Sequence, residues 1–186
     1  LLISLPHDGS EIPGALAARM TPEARRAPDT DWHVSRLYAF ARDLGASILV
    51  PRYSRYVIDL NRPPDDVSLY PGQNTTGLCP AVRFSGDPVY LPDEAPVADE
   101  VAQRIETYWR PYHEALRDEL DRLREIHGRV LLWEGHSIRG ECPFLFDGRL
   151  PDLNIGTASG TSCLPDVQQR IETALQAQSD YGWVIN

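Results

Sequence analysis

The chain has 186 residues, 42% hydrophobic and 24% charged, with a formal net charge of −9 and a pI near 5.0. Those proportions exclude a disordered or collagen-like chain, and the acidity argues against a nucleic-acid or anionic-membrane partner, both of which require a basic face. All 18 basic residues are Arg, so neither a Schiff-base lysine nor a Walker-A phosphate loop is available.

A length of 186 residues predicts a single domain, 1–186, that needs no disulfide to hold a core. Residues 1–6 read as a strand already under way, the only Met is Met20, and residues 181–186 read as a strand with nothing after it. The expectation is therefore a piece lacking an N-terminal lead-in and a C-terminal segment. Cys79, Cys142 and Cys163 form no C-x-x-C pair, which predicts a reducing, cytoplasmic setting. No apolar run approaches the ~20 residues of a membrane span.

Taken in order, residues 1–5 are an apolar run stopped by Pro6, as a buried strand would be. Residues 31–45 read as a helix: Val34, Leu37, Tyr38, Ala41 and Leu44 recur at three- and four-residue spacing, and Gly45 is placed to end it. Residues 46–50 and 56–60 read as strands. From 62 to 93, six prolines forbid a continuous helix or central strand, while the aromatics and Cys79 predict an ordered, packed loop. Residues 95–127 carry one apolar stripe from Val97 to Leu123, which Pro111 should kink or split. Residues 129–133 read as a strand, 153–155 as a weak strand, 166–177 as a helix opened by Pro165, and 181–186 as a last strand. This alternation predicts an α/β fold with a largely parallel or mixed central sheet flanked by helices.

In such sheets the chemistry gathers beyond the carboxyl ends of the strands. Those positions hold His7; then Asn61 and Arg62; then Glu134, His136 and Ser137; then Asp152, Asn154 and Thr157. His7 and His136 read as metal ligands, because a catalytic zinc site wants three protein ligands and one open position. The third ligand could come from Asp31, Glu11 or Glu134, although the residues alone favour Asp31 as a helix N-cap. Arg55, Asn61 and Arg62 cluster around one strand, where an Arg fork suits a carboxylate. Glu134 shares a strand face with His136 and could serve as general base, ligand or orienting partner. Cys163 could be a nucleophile, although no histidine is near it in sequence. Asn74-Thr75-Thr76 matches a glycosylation acceptor, against which the cysteine pattern argues.

Several segments carry a wider pattern: Ser4-Leu5-Pro6-His7-Asp8-Gly9, Asp29-Thr30-Asp31-Trp32-His33-Val34, Tyr56-Val57-Ile58-Asp59-Leu60-Asn61-Arg62-Pro63, Tyr70-Pro71-Gly72-Gln73-Asn74-Thr75-Thr76-Gly77-Leu78-Cys79-Pro80, Glu134-Gly135-His136-Ser137-Ile138 and Asp152-Leu153-Asn154-Ile155-Gly156-Thr157. With them the chain resembles the N-formylglutamate amidohydrolase family, itself similar in fold to zinc carboxypeptidases and aspartoacylases. The resemblance implies a zinc-dependent hydrolase that cleaves N-formyl-L-glutamate to formate and L-glutamate in histidine degradation. It implies His7, Asp31 and His136 as metal ligands, and Asn61 and Arg62, with Arg55 and Asn154, as substrate-binding residues. Glu134 is the expected catalytic carboxylate. Carboxypeptidases place a Glu three residues after the first histidine; Ser10 stands there, with Glu11 one further on. The relatives' late catalytic Glu falls beyond the expected C-terminal truncation. The substrate is expected to be a small acidic molecule, with no protein partner. The rival readings are a deacylase for another N-acyl amino acid, cysteine chemistry at Cys163, and a non-catalytic binding module.

Overall fold

The computed structural model describes residues 1–67 and 75–185, so Asn74 and the first part of the proline-rich motif lie outside the described residues. Two compact units emerge, residues 1–138 and residues 139–186.

The first unit is built on a three-stranded parallel sheet: β1 (Leu2–Ser4) lies between β2 (Ser47–Leu49) and β3 (Leu132–Glu134). Leu2 pairs with Ser47 on one side and Leu132 on the other. β1 is wholly buried, as expected of a central parallel strand read as a continuous apolar run. Because the strands are parallel, the chain leaves β1 towards His7 and β3 towards His136 at the same end of the sheet. Ile3 and Leu5 pack with Val34 and Ala41 in one core cluster, and Ile58, Leu60, Leu78 and Tyr112 form another.

One helical expectation is corrected and one is met. Residues 31–45 are not one helix: a short α1 (Gly14–Ala17) comes earlier, and the predicted region holds only α2 (Val34–Leu37) and a 3-10 turn (Ala39–Arg42). Leu37 and Leu44, two of the five residues of the apparent stripe, are exposed, so that part of it has no core to face. Gly45 does end the segment, at φ 79°. The long stretch is split as Pro111 required, into α3 (Ala98–Arg104) and α4 (Arg110–His127), joined by a π-turn at Ile105–Trp109.

The strand expected at 56–60 is absent. Residues 54–60 are all buried and turn-like, with Val57 N–H donating to the Ser54 carbonyl and Asp59 N–H to the Leu78 carbonyl. A charged residue, Asp59, sits inside this apolar run, and its carboxylate accepts from His7, Arg55 and the Asn61 N–H. The loop beyond is packed from residue 75 onward: Leu78 and Val89 are fully buried and Tyr90 nearly so.

The second unit holds a two-stranded parallel sheet of β4 (Leu153–Ile155) and β5 (Trp183–Ile185), connected through α5 (Pro165–Gln176). This is a β-α-β unit at the positions predicted from the sequence. Among the described residues no helix is long and apolar enough to cross a membrane.

Candidate metal centre

His7 follows β1 by three residues, beyond the turn at Pro6. Gly9 lets the chain there press against residues 51–53, since a Cβ on it would lie 2.3 Å from the Tyr53 carbonyl oxygen. The Asp31 backbone N–H donates to the His7 carbonyl (3.0 Å), docking the Thr30–Asp31 turn on the first histidine. His136 follows β3 after Gly135, which admits no side chain: a Cβ would fall 2.6 Å from Leu5 Cδ2 and 2.7 Å from Tyr38 Cε2. Three distant segments thereby converge.

The Asp31 Oδ2 atom lies 3.2 Å from His136 Nδ1 and 3.7 Å from His7 Nδ1, and accepts the Ser137 N–H at 3.0 Å. Among the described residues, His7, Asp31 and His136 present donor atoms all within 4.8 Å of one another. Asp31 is not a helix cap: α2 has no side-chain cap at its N-cap position, and the Ser35 N–H is taken by Asp8 Oδ1 instead. Glu11 is away from the group, in an exposed pair with Arg52.

His7 is held from behind. Its Nε2 lies 2.7 Å from Asp59 Oδ1, while Asp59 Oδ2 accepts Arg55 Nη2 at 2.6 Å and Asp59 Oδ1 also accepts the Asn61 N–H at 2.9 Å. With Nε2–H donating to the carboxylate, Nδ1 carries the lone pair and faces Asp31. A carboxylate behind a ligating imidazole fixes the tautomer and raises its basicity. Asp59 is fully buried, and sequence reasoning missed it. The available signal was a carboxylate inside the apolar run Tyr56-Val57-Ile58-Asp59-Leu60, since such a charge is almost never buried unpaired.

Burial alone would raise the Asp31 carboxyl pKa, but hydrogen bonds with His136, His7 and the Ser137 N–H outweigh it and hold the group well below the usual carboxylate range. Burial likewise opposes ionisation of Asp59, and Arg55, then His7 and the Asn61 N–H, pull it well down. For His7, burial and the Arg55 guanidinium favour the neutral ring, yet Asp59 and Asp31 prevail and the pKa is raised. The local field thus favours positive charge at this point.

A divalent metal fits the group. Two imidazole nitrogens and one carboxylate oxygen are an ordinary zinc donor set, and tetrahedral zinc with bonds of about 2.1 Å spaces its ligands roughly 3.4 Å apart. The two Asp31 separations, 3.2 and 3.7 Å, bracket that value.

The other expected site residues are placed as follows. Asn61 is exposed, with Nδ2 3.3 Å from His136 Nε2. Arg62 is half-buried next to it, and its guanidinium has no hydrogen-bond partner among the described residues. Arg55 is buried, committed to Asp59, 3.5 Å from His7 Nδ1 and stacked over Phe84 at 4.7 Å; its buried Nε atom has no partner among the described residues. Glu134 is exposed at the end of β3, and its charge acts on Tyr112 and His113. Asn154 lies in the second unit on β4, where its amide donates to the Pro151 carbonyl. Cys163, also in the second unit, donates to the Leu164 carbonyl. The group is therefore buried at His7, Asp31 and Asp59, and exposed at His136 and Asn61.

Comparison with known proteins places the chain among its relatives. The sequence profile of N-formylglutamate amidohydrolase matches residues 1–186. The chain is 52% identical to an N-formylglutamate deformylase of Pseudomonas putida and 50% identical to one of Pseudomonas aeruginosa, covering the whole chain and 69% and 70% of those proteins. The crystal structure of an N-formylglutamate amidohydrolase from Ralstonia eutropha superposes with a TM-score of 0.81 at 27% identity, over the whole chain and 70% of that protein. A gene product from Agrobacterium tumefaciens, 20% identical, shares the fold at a TM-score of 0.66, over the whole chain and 68% of that protein. Matched along its full length by the profile and by half-identical relatives, this chain belongs to the N-formylglutamate amidohydrolase family.

Proposed function

We propose that this chain hydrolyses N-formyl-L-glutamate to formate and L-glutamate, using zinc held by His7, Asp31 and His136. The observation that carries the reading is the convergence of these three donors, with Asp59 behind His7, in a chain half-identical to deformylases of that substrate. A zinc-carboxypeptidase-like fold is consistent with the small parallel sheet and the histidines beyond its carboxyl ends. A cytoplasmic place in histidine degradation completes the reading and is supported by the family resemblance.

When bound, the metal supplies Lewis acidity, polarising the formyl carbonyl and acidifying a water molecule. Everything else falls to side chains. The formyl group is tiny, so the two carboxylates of the substrate must supply most of the orientation. Arg62, whose guanidinium has no hydrogen-bond partner among the described residues, takes a substrate carboxylate as a planar fork of donors. Asn61, beside His136, adds an amide donor. Arg55 holds Asp59 ionised and turns its guanidinium edge towards His7, where negative charge develops on the reacting carbonyl. Glu134 is assigned the proton transfer from water to the leaving amine. Asn154 is assigned to substrate binding from its motif.

The test is formate release from N-formyl-L-glutamate, run with metal analysis of the same preparation and with N-acetyl-L-glutamate as the competing substrate. Zinc near one equivalent per chain, with activity lost to a chelator and restored by zinc, supports the reading. Faster turnover of the acetyl compound moves the assignment to another deacylase. Activity that survives complete metal removal refutes the metal centre.

A further inference from the structure

Residues 54–60 are buried yet belong to no sheet, so their backbone carbonyls must find partners elsewhere. The long helical stretch supplies partners for two of them and for the Arg62 carbonyl just beyond. Arg104 Nη1 donates to the Val57 carbonyl at 2.9 Å, His113 Nε2 to the Leu60 carbonyl at 3.0 Å, and Trp109 Nε1 to the Arg62 carbonyl at 2.9 Å. The carbonyls immediately before and after Asn61 are thus both anchored, and the Trp109 and His113 rings stack on one another at 3.8 Å and 27°. Donation from Nε2 fixes the His113 tautomer.

An unbroken α-helix could not present these donors together. Five residues of α-helix turn about 140° beyond a full revolution, so Arg104 and Trp109 would face different sides. The π-turn at Ile105–Trp109 places one more residue in the turn and brings them into line. Pro111, which has no N–H and would crowd the carbonyl four residues back, removes the ordinary α-turn as a competitor. π-turns gather where a helix serves a site.

We propose that Trp109 and His113, with Arg104, are positioning residues. They hold Asn61 and Arg62 rigidly beside the metal centre so that the substrate carboxylates meet a preformed pair of donors. The inference rests on the function proposed above, and it adds residues 42 or more positions away in sequence to the substrate side of the site. Loop-borne binding groups need such support, because a small drift loses orientation.

The test is steady-state kinetics with N-formyl-L-glutamate on the zinc-loaded protein and on W109F, H113L and H113Q. Phe keeps an aromatic ring to stack and removes the N–H together with part of the indole, Leu removes the donor at 113, and Gln returns an amide N–H to that position. W109F and H113L should each raise KM about ten-fold with kcat changed by less than about two-fold, and H113Q should recover most of the loss. The kinetics are read at saturating zinc, because Asp59, which backs His7, lies on the anchored segment. W109F carries the test alone if H113L does not fold. Wild-type KM in W109F and H113L overturns the proposal, as does an H113L defect that H113Q leaves uncorrected. If the wild-type protein releases no formate, the proposed function falls instead, and amide exchange decides the positioning. Exchange at the Asn61 and Arg62 N–H groups about ten-fold faster in the W109F/H113L double variant supports it, and wild-type exchange overturns it.

Discussion

Replacing Asp59 by Asn removes one negative charge and almost no volume, at the point where the metal site is tied to the core. The carboxylate is fully buried and accepts from His7 Nε2, Arg55 Nη2 and the Asn61 N–H. An Asn can accept some of these bonds but turns its own N–H₂ towards a donor. Arg55, itself buried, keeps its charge and loses its counter-ion. Breaking a buried pair from one side costs about 3–5 kcal/mol, which for a chain of this length lowers Tm by roughly 6–20 °C. His7 also loses the carboxylate that raises its basicity, so zinc affinity should fall about 10- to 100-fold. The two losses have different causes and should separate. The double variant R55M/D59N carries neither charge, so it should regain most of the stability and none of the zinc affinity. Urea unfolding of the zinc-free protein reads the first quantity, and competition against a chromophoric chelator reads the second. D59N with wild-type stability and wild-type zinc affinity would refute the coupling of Asp59 to both neighbours. R55M/D59N no more stable than D59N would refute the unpaired Arg55 charge as the cause.

G135A introduces a methyl where 2.6 Å separates it from Leu5 and 2.7 Å from Tyr38; overpacking of this kind costs about 1–3 kcal/mol, and the displaced His136 should show as weaker zinc binding in the same chelator assay. R62A should raise KM for N-formyl-L-glutamate about 10- to 100-fold, the worth of a charge-assisted hydrogen bond, and leave zinc affinity unchanged; an unchanged KM would remove Arg62 from the substrate side. Burial holds the His113 imidazole below its ordinary pKa, against the pull of the Leu60 carbonyl and Glu134. The folded state therefore binds fewer protons than the unfolded one, so His113 lowers stability as pH falls through about 6.5 towards its lower folded value, and its effect levels off below that. Urea midpoints measured from about pH 8 to pH 5 should fall less steeply in H113Q than in the wild type, and parallel profiles would show that His113 does not titrate there.

Much of the architecture follows from local signals. Continuous apolar runs marked β1 and the strand before His136, Pro165 marked the start of α5, and Pro111 marked the break in the long helix. The rule that chemistry collects beyond parallel strand ends led to His7 and His136 without any knowledge of their distance. Local signals misled where burial was decided elsewhere. Leu37, Phe40 and Leu44 have helical spacing but lie in solvent, and residues 56–60 have strand composition but no strand beside them.

By itself, the sequence determined the family, the two histidines, the Arg-only cation set and the places where regular structure had to stop. These depend on residue identity and on spacings within a few residues. Only the tertiary structure decided among Asp31, Glu11 and Glu134 as neighbours of the histidines, and only it brought out Asp59 and the helix-borne anchors. His7 and His136 are 129 positions apart, and Asp59 lies 52 positions beyond His7. A hydrogen bond of 2.7 Å across such a separation is set by how strands, turns and one π-turn pack, and no local preference encodes it.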